Sequence, residues 1–154
     1  MGKEINLTSK VKVLVVDDDD AIRSLLASEL EDQSFDVQSA EDGDEAIELV
    51  RATCERDDRF DIILLDVKMP KVNGFDVLKY VRKETPTTKV IMVTAYADVR
   101  NAVDSMRFGA FDFISKPYDL DEILTSMCSH RIGFSPHPGR TSTERITRNE
   151  RERT

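Results

Sequence analysis

The chain has 154 residues, room for one ordinary domain and not for two full ones. At 40% apolar and 34% charged, with a net charge of −8, it reads as a globular domain whose folded part does not take nucleic acid as its main partner. No apolar run reaches the roughly 18 residues of a membrane span, residues 1–10 lack the apolar stretch of a signal peptide, and only two cysteines, Cys54 and Cys128, are present; together these point to the cytoplasm rather than to a disulfide framework.

From about Lys10 onward, apolar runs alternate with stretches at helical spacing. The first run is Val11–Val16 (VKVLVV), followed by four aspartates, Asp17 to Asp20, and a stripe of Ile22, Leu25, Leu26 and Leu30. The second run, Phe35–Ala40, leads to a stripe of Ile47, Val50 and Cys54. Ile62–Leu65 (IILL) ends at Asp66, and after Pro70 and Gly74 a stripe of Phe75, Leu78 and Val81 begins. Val90–Val93 ends at Thr94, before a stripe of Val99, Ala102, Val103 and Met106. The last run, Phe111–Ile114, is followed by Lys116 and by a stripe of Leu120, Ile123, Leu124, Met127 and Cys128, started by a capping box of Asp119 and Glu122. Near-continuous runs are how strands buried on both faces of a parallel sheet look. Strict alternation with helices predicts a doubly wound α/β fold with a five-stranded parallel sheet.

The rest of the chain reads differently. Residues 132–154 carry five Arg against three Glu, with three bulky apolar residues, two Pro and no helical stripe. Such a segment cannot bury enough apolar surface to offset its ordering entropy, so it is expected to be a disordered tail or the start of a linker to an absent output domain. The expected organisation is an N-terminal extension over 1–9, a domain over 10–131, and that tail.

In doubly wound sheets ligands bind beyond the carboxyl ends of the strands. Asp17, Asp18, Asp66, Thr94 and Lys116 all fall there. Taken singly, each has a plain alternative. Asp19 and Asp20 are most simply the start of the first helix, where cap and dipole favour Asp, and Asp17 or Asp18 alone is open to the same reading. Thr94 alone reads as a strand-end hydroxyl and Lys116 alone as a solvated lysine. Asp66 is harder to treat as a cap, because Pro70 and Gly74 separate it from the next helix. Their coincidence at one sheet edge points to chemistry. Crowded carboxylates repel and need a compensating cation, and oxygen-only ligands suit Mg²⁺. An Asp beside a metal, an ammonium and a hydroxyl is a candidate phosphoryl acceptor.

With these residues in order, the sequence resembles the response-regulator receiver domain of two-component signalling over about residues 10–130. VLVVDDDDAIR resembles the family's acidic pair, at Asp17 and Asp18. LLDVKMPKVNGFDVL resembles the phosphoacceptor segment, with Asp66 as acceptor, and VTAYAD the switch hydroxyl, at Thr94. GAFDFISKPYDLDEI resembles the closing motif, with Lys116, Pro117 and the switch aromatic Phe113.

The resemblance implies a flavodoxin-like fold of strand order 2-1-3-4-5 and a cis peptide between Lys116 and Pro117. It also implies transfer of a phosphoryl group to Asp66 from a sensor histidine kinase or a histidine phosphotransfer protein. Mg²⁺ is then held by Asp18, Asp66 and the Lys68 carbonyl, with Asp17 acting mostly through water. Lys116 and Thr94 bind phosphoryl oxygens, and Thr94 with Phe113 switches the surface of the fourth helix, fifth strand and fifth helix, where a homodimer is plausible. On this reading the domain is a phosphoacceptor, not an enzyme in its own right, and its output is a downstream process such as transcription. The ending GAFDFISKP is also like that of receivers in activators carrying an ATPase and a helix-turn-helix. Lys68 and Tyr96, two residues after the acceptor and the switch threonine, would flank the path of hydrolytic water and favour a moderately long-lived acyl phosphate.

Four other readings fit less well. A haloacid-dehalogenase-like phosphatase wants a second Asp where Lys68 stands and room for a cap domain. A nucleotide-binding module needs glycines after the first strand, and DDDDAIR has none. A receiver-like module that binds without phosphorylation would not need the full set of Asp17, Asp18, Asp66, Thr94 and Lys116. A zinc site at Cys128, His130 and His137 is disfavoured because Cys128 falls on the apolar stripe, as a core thiol would, and His137 lies between two prolines.

Overall fold

The computed structural model of the protein describes residues 10–95 and 98–129. The extension over 1–9, Tyr96, His130, His137 and the expected tail lie outside the described residues. Strand and helix alternate throughout: β1 (Lys12–Val16), α1 (Asp20–Asp32), β2 (Asp36–Ala40), α2 (Gly43–Glu55), β3 (Ile62–Leu65), α3 (Gly74–Glu84), β4 (Lys89–Thr94), α4 (Val99–Arg107), β5 (Asp112–Ser115) and α5 (Leu120–Cys128). All pairings are parallel, and the sheet order is β2-β1-β3-β4-β5, as the resemblance implies.

Successive strand residues point to opposite faces, so each strand divides between two cores. Leu14, Val16, Ile63, Leu65, Met92 and Phe113 meet Val50 of α2 and Val77, Leu78 and Val81 of α3. Val13, Val15, Ile62, Leu64, Ile91 and Ile114 meet Leu26 and Leu30 of α1 and Ile123 and Met127 of α5. All five helices start on a short polar cap: Asp19, Asp42, Asn73, Asp98 and Asp119 each accept a backbone N–H of the first turn. Asp119 takes that bond from Glu122, where the sequence places a cap.

The apolar stripes are not all buried. Val99, Val103 and Met106 of α4 are exposed, Val99 to 81%, and Ser105 is the helix's one buried residue. The physical reason is the small face α4 turns inward: Ala102 and Phe108 pack partly on the core, and Ser105 closes its hydroxyl on the Asn101 carbonyl. Leu25 is likewise exposed, because α1 buries Leu26 and Leu30 instead. Cys128, expected as a core thiol, is exposed at the end of α5, where Ile123 and Met127 carry the packing.

These differences can be measured. Leu78→Ala should cost roughly 2–5 kcal/mol in urea unfolding, as a buried leucine does, whereas Val103→Ser should change stability by no more than about 0.5 kcal/mol. Comparable losses would place Val103 in the core after all.

Candidate functional site

The register of the sheet assembles the site. β1 and β3 run level, with Val16 opposite Leu65, and β4 and β5 run level, with Thr94 opposite Ser115. The ladder extends one residue further, through Asp66 N–H to the Val16 carbonyl at 3.0 Å and Lys116 N–H to the Thr94 carbonyl at 2.9 Å. Asp17, Asp66, Thr94 and Lys116 therefore emerge together at the carboxyl edge, with Asp18 beside them.

Lys116 is the hub. Its Nζ lies 2.6 Å from Asp17 Oδ2 and 3.2 Å from Asp66 Oδ2, with little of its side chain exposed. The peptide that follows it, Lys116–Pro117, is cis. Asp17 Oδ1 is taken by the Asp19 N–H at 2.9 Å, so both oxygens of Asp17 are engaged within the protein. Asp66 is different: its Oδ1 is buried and has no hydrogen-bond partner. Carboxylate oxygens of Asp17, Asp18 and Asp66 all lie within 4.8 Å of one another, with Asp17 and Asp66 buried and Asp18 exposed. Two like charges about 5 Å apart repel by roughly 3 kcal/mol at an effective dielectric near 20, less where solvent reaches, so one ammonium leaves the cluster undercompensated.

The pKa directions follow from this arrangement. Burial pushes the Asp66 carboxyl up and Asp17 adds to it, against the pull of Lys116 and the Thr94 hydroxyl. Burial works against the Lys116 ammonium too, but its hydrogen bond to Asp17 and the charges of Asp66 and Asp17 outweigh it, so its pKa lies above the usual lysine value. Hard oxygen donors, an excess of negative charge and a buried oxygen lacking a partner together fit a divalent cation.

Thr94 is fully buried, and Phe113 is 8% exposed within the core of the α2–α3 side, so the aromatic side chain already points inward. Lys68 is exposed on the loop after Asp66. Two neighbours of the site make contacts that the sequence does not show. Arg23 reaches back to the Asp17 carbonyl at 2.8 Å. Gly74 packs so closely that a Cβ there would stand 2.1 Å from the Asp66 carbonyl oxygen, so the first turn of α3 can only abut the loop after β3 with no side chain at that position. The proximity of Arg23 to DDDD and the position of Gly74 after Pro70 were visible, but their contacts depend on how the loops close.

The family model described as "Response regulator receiver domain" matches residues 13–127. The chain belongs to the response regulator receiver family. Regulatory protein AtoC of Escherichia coli K12 is 38% identical over 117 residues, covering 76% of this chain and 24% of that protein. Transcriptional regulatory protein CpxR of the same strain is 42% identical over 113 residues, covering 73% and 46%. This receiver chain thus spans less than half the length of these two curated relatives. Among solved structures, a Burkholderia pseudomallei response regulator with a phosphorylated aspartic acid and a calcium ion aligns with a TM-score of 0.71 at 25% identity, covering 81% of this chain and 71% of that one. A CheX–CheY–BeF3–Mg complex from Borrelia burgdorferi aligns with a TM-score of 0.72 at 29% identity, covering 78% and 88%. Among the described residues no helix is long and apolar enough to cross a membrane.

A carboxyl whose folded pKa is raised costs stability once it is charged, and the cost fades as pH falls through the folded pKa toward the ordinary value of 3.8. In metal-free protein, Asp66→Asn should therefore raise the urea midpoint at neutral pH, with the gain shrinking to nothing in acid. An Asn variant no more stable than wild type at neutral pH would contradict the charge balance described.

Proposed function

We propose that Asp66 is the phosphoacceptor of this receiver, charged from the phosphohistidine of a sensor histidine kinase or a histidine phosphotransfer protein. The observation that carries this reading is Asp66 Oδ1, buried and without a partner beside an ammonium and two further carboxylates. The carboxylate attacks phosphorus in line; the new O–P bond forms as the P–N bond to the donor histidine breaks, and the imidazole leaves. Lys116 is already within 3.2 Å of Asp66 and pairs with one phosphoryl oxygen, while the Thr94 hydroxyl donates to another. The residues that would hold Mg²⁺ are Asp18, Asp66 and the Lys68 carbonyl, with Asp17 acting through water, since both its oxygens are engaged. When bound, the metal neutralises charge on the transferring group. The domain thus catalyses its own phosphorylation and dephosphorylation and turns over no other substrate. Lys68 shields the acyl phosphate; Tyr96, its expected companion, lies outside the described residues.

The same charge event sets the output. Thr94 and Phe113 form the coupled pair that repacks the surface of α4, β5 and α5, where a second copy or a downstream target docks. The receiver spans residues 10–131, works in the cytoplasm and controls transcription, in keeping with the regulatory relatives named above.

Incubation with Mg²⁺ and acetyl phosphate, followed by intact mass, should show one added phosphoryl group that hot alkali removes. Asp66→Asn should gain none, and an Asn variant that still gains the mass overturns the assignment. Thr94→Ala removes one bond to a charged group, on the order of 1.5–3 kcal/mol, and so should leave phosphorylation intact. The same loss should reduce the active population roughly tenfold to a hundredfold. Amide spectra with beryllofluoride report it: a full wild-type shift pattern in Thr94→Ala would remove Thr94 from the switch.

A further inference from the structure

We propose that Arg23 is a positioning residue of the acceptor site, one that orients Asp18 toward the Asp66 carboxylate by holding the backbone of Asp17; the inference rests on the phosphoacceptor reading above. Arg23 is the first basic residue after the four aspartates. Its guanidinium splits between two acceptors, with Nη1 donating to the Asp17 carbonyl at 2.8 Å and Nη2 to Asp20 Oδ1 at 2.5 Å. The Asp20 contact is an ordinary i,i+3 pair at the surface, for Asp20 is 82% exposed, and alone it would be worth little. It does not explain why the Arg23 side chain is only 15% exposed. The carbonyl contact does.

The backbone of Asp17 stands where β1 leaves the sheet. Its N–H still donates to the Ala40 carbonyl at 3.2 Å, while its carbonyl accepts from the Arg23 guanidinium. That carbonyl and the Asp18 N–H belong to one rigid peptide plane. Fixing the oxygen therefore fixes the direction in which the chain presents Asp18. Asp17 is held by its own side chain, through Lys116 and the Asp19 N–H. Asp18 is exposed, so its orientation is set chiefly by its backbone. Arg23 also places a positive charge next to the acidic cluster while binding a carbonyl, leaving the carboxylate oxygens available to a cation.

The two contributions of Arg23 predict opposite results. If its charge were what mattered, removing it would strengthen cation binding by deepening the negative field. If it positions Asp18, removing it weakens binding, as loss of groups that orient metal ligands does, by roughly tenfold or more. The test is a Mg²⁺ titration followed by the amide shifts of residues 17–20 and 66, in wild type, Arg23→Ala, Arg23→Lys and Asp20→Asn, with urea midpoints of the metal-free proteins alongside. The inference expects a dissociation constant roughly tenfold higher in Arg23→Ala, an intermediate one in Arg23→Lys, which keeps the charge but lacks the planar fork, and one unchanged in Asp20→Asn. An unchanged or tighter constant in Arg23→Ala overturns it, as does a loss in Asp20→Asn equal to that in Arg23→Ala. Should Arg23→Ala fail to fold, Arg23→Lys must still bind Mg²⁺ more weakly than Asp20→Asn, and equal binding by those two overturns the inference. A wild type that shows no Mg²⁺ response removes the acceptor reading itself, whereas a responsive wild type matched by Arg23→Ala removes the role of Arg23 alone.

Discussion

The position of one ammonium, Lys116 Nζ, between the carboxylates of Asp17 and Asp66 is the constraint on which the rest of the site depends. Burying two carboxylates at one sheet edge is costly unless they are paired, and a third, Asp18, stands close enough to add to their repulsion. Lys116 reaches them because β5 sits at the far side of β4 and its last residues continue the ladder past Thr94. It offsets one charge of three. The residue of uncompensated charge, focused on the partnerless Asp66 Oδ1, is what makes the edge receptive to a cation and to a phosphoryl group.

The parallel sheet was legible because its three central strands, β1, β3 and β4, are buried on both faces and so read as near-continuous aliphatic runs, as IILL and VIMV do, whereas the edge strand β2 (DVQSA) is only partly buried. Such runs say where strands lie, and the polar residue ending each says where the chemistry lies; Asp66 and Lys116 were found in this way. The order of the strands does not follow from the runs themselves. It came from the family likeness, and the ladder pairs bear it out.

Helix packing was less legible, for a reason α4 makes plain. A stripe of Val99, Val103 and Met106 at helical spacing marks an amphipathic helix but does not say which side the sheet will take. Here the sheet takes the narrow side, Ala102 and Ser105, and the bulky side is left outward. Phe108 ends the helix packed edge-on against Phe75 of α3, with Lys79 over its ring, so the anchoring of α4 lies at its C-terminal end, in residues the stripe did not include. The contacts of Arg23 and Gly74 were hidden on similar grounds, although Gly74 itself stood out as a break before α3: one acts through a backbone carbonyl and the other through the absence of a side chain, and neither leaves a pattern in side-chain chemistry.

An acidic edge with one ammonium against three carboxylates should be stabilised by a divalent cation, and thermal unfolding across a Mg²⁺ titration measures that gain. At ten times the dissociation constant the native state should gain about 1.4 kcal/mol, a rise of a few degrees in Tm for a domain of this size. The gain should be lost when Asp18 or Asp66 is changed to Asn. A wild-type melting curve indifferent to millimolar Mg²⁺, or an equal gain in both Asn variants, would mean that these carboxylates do not form a cation site.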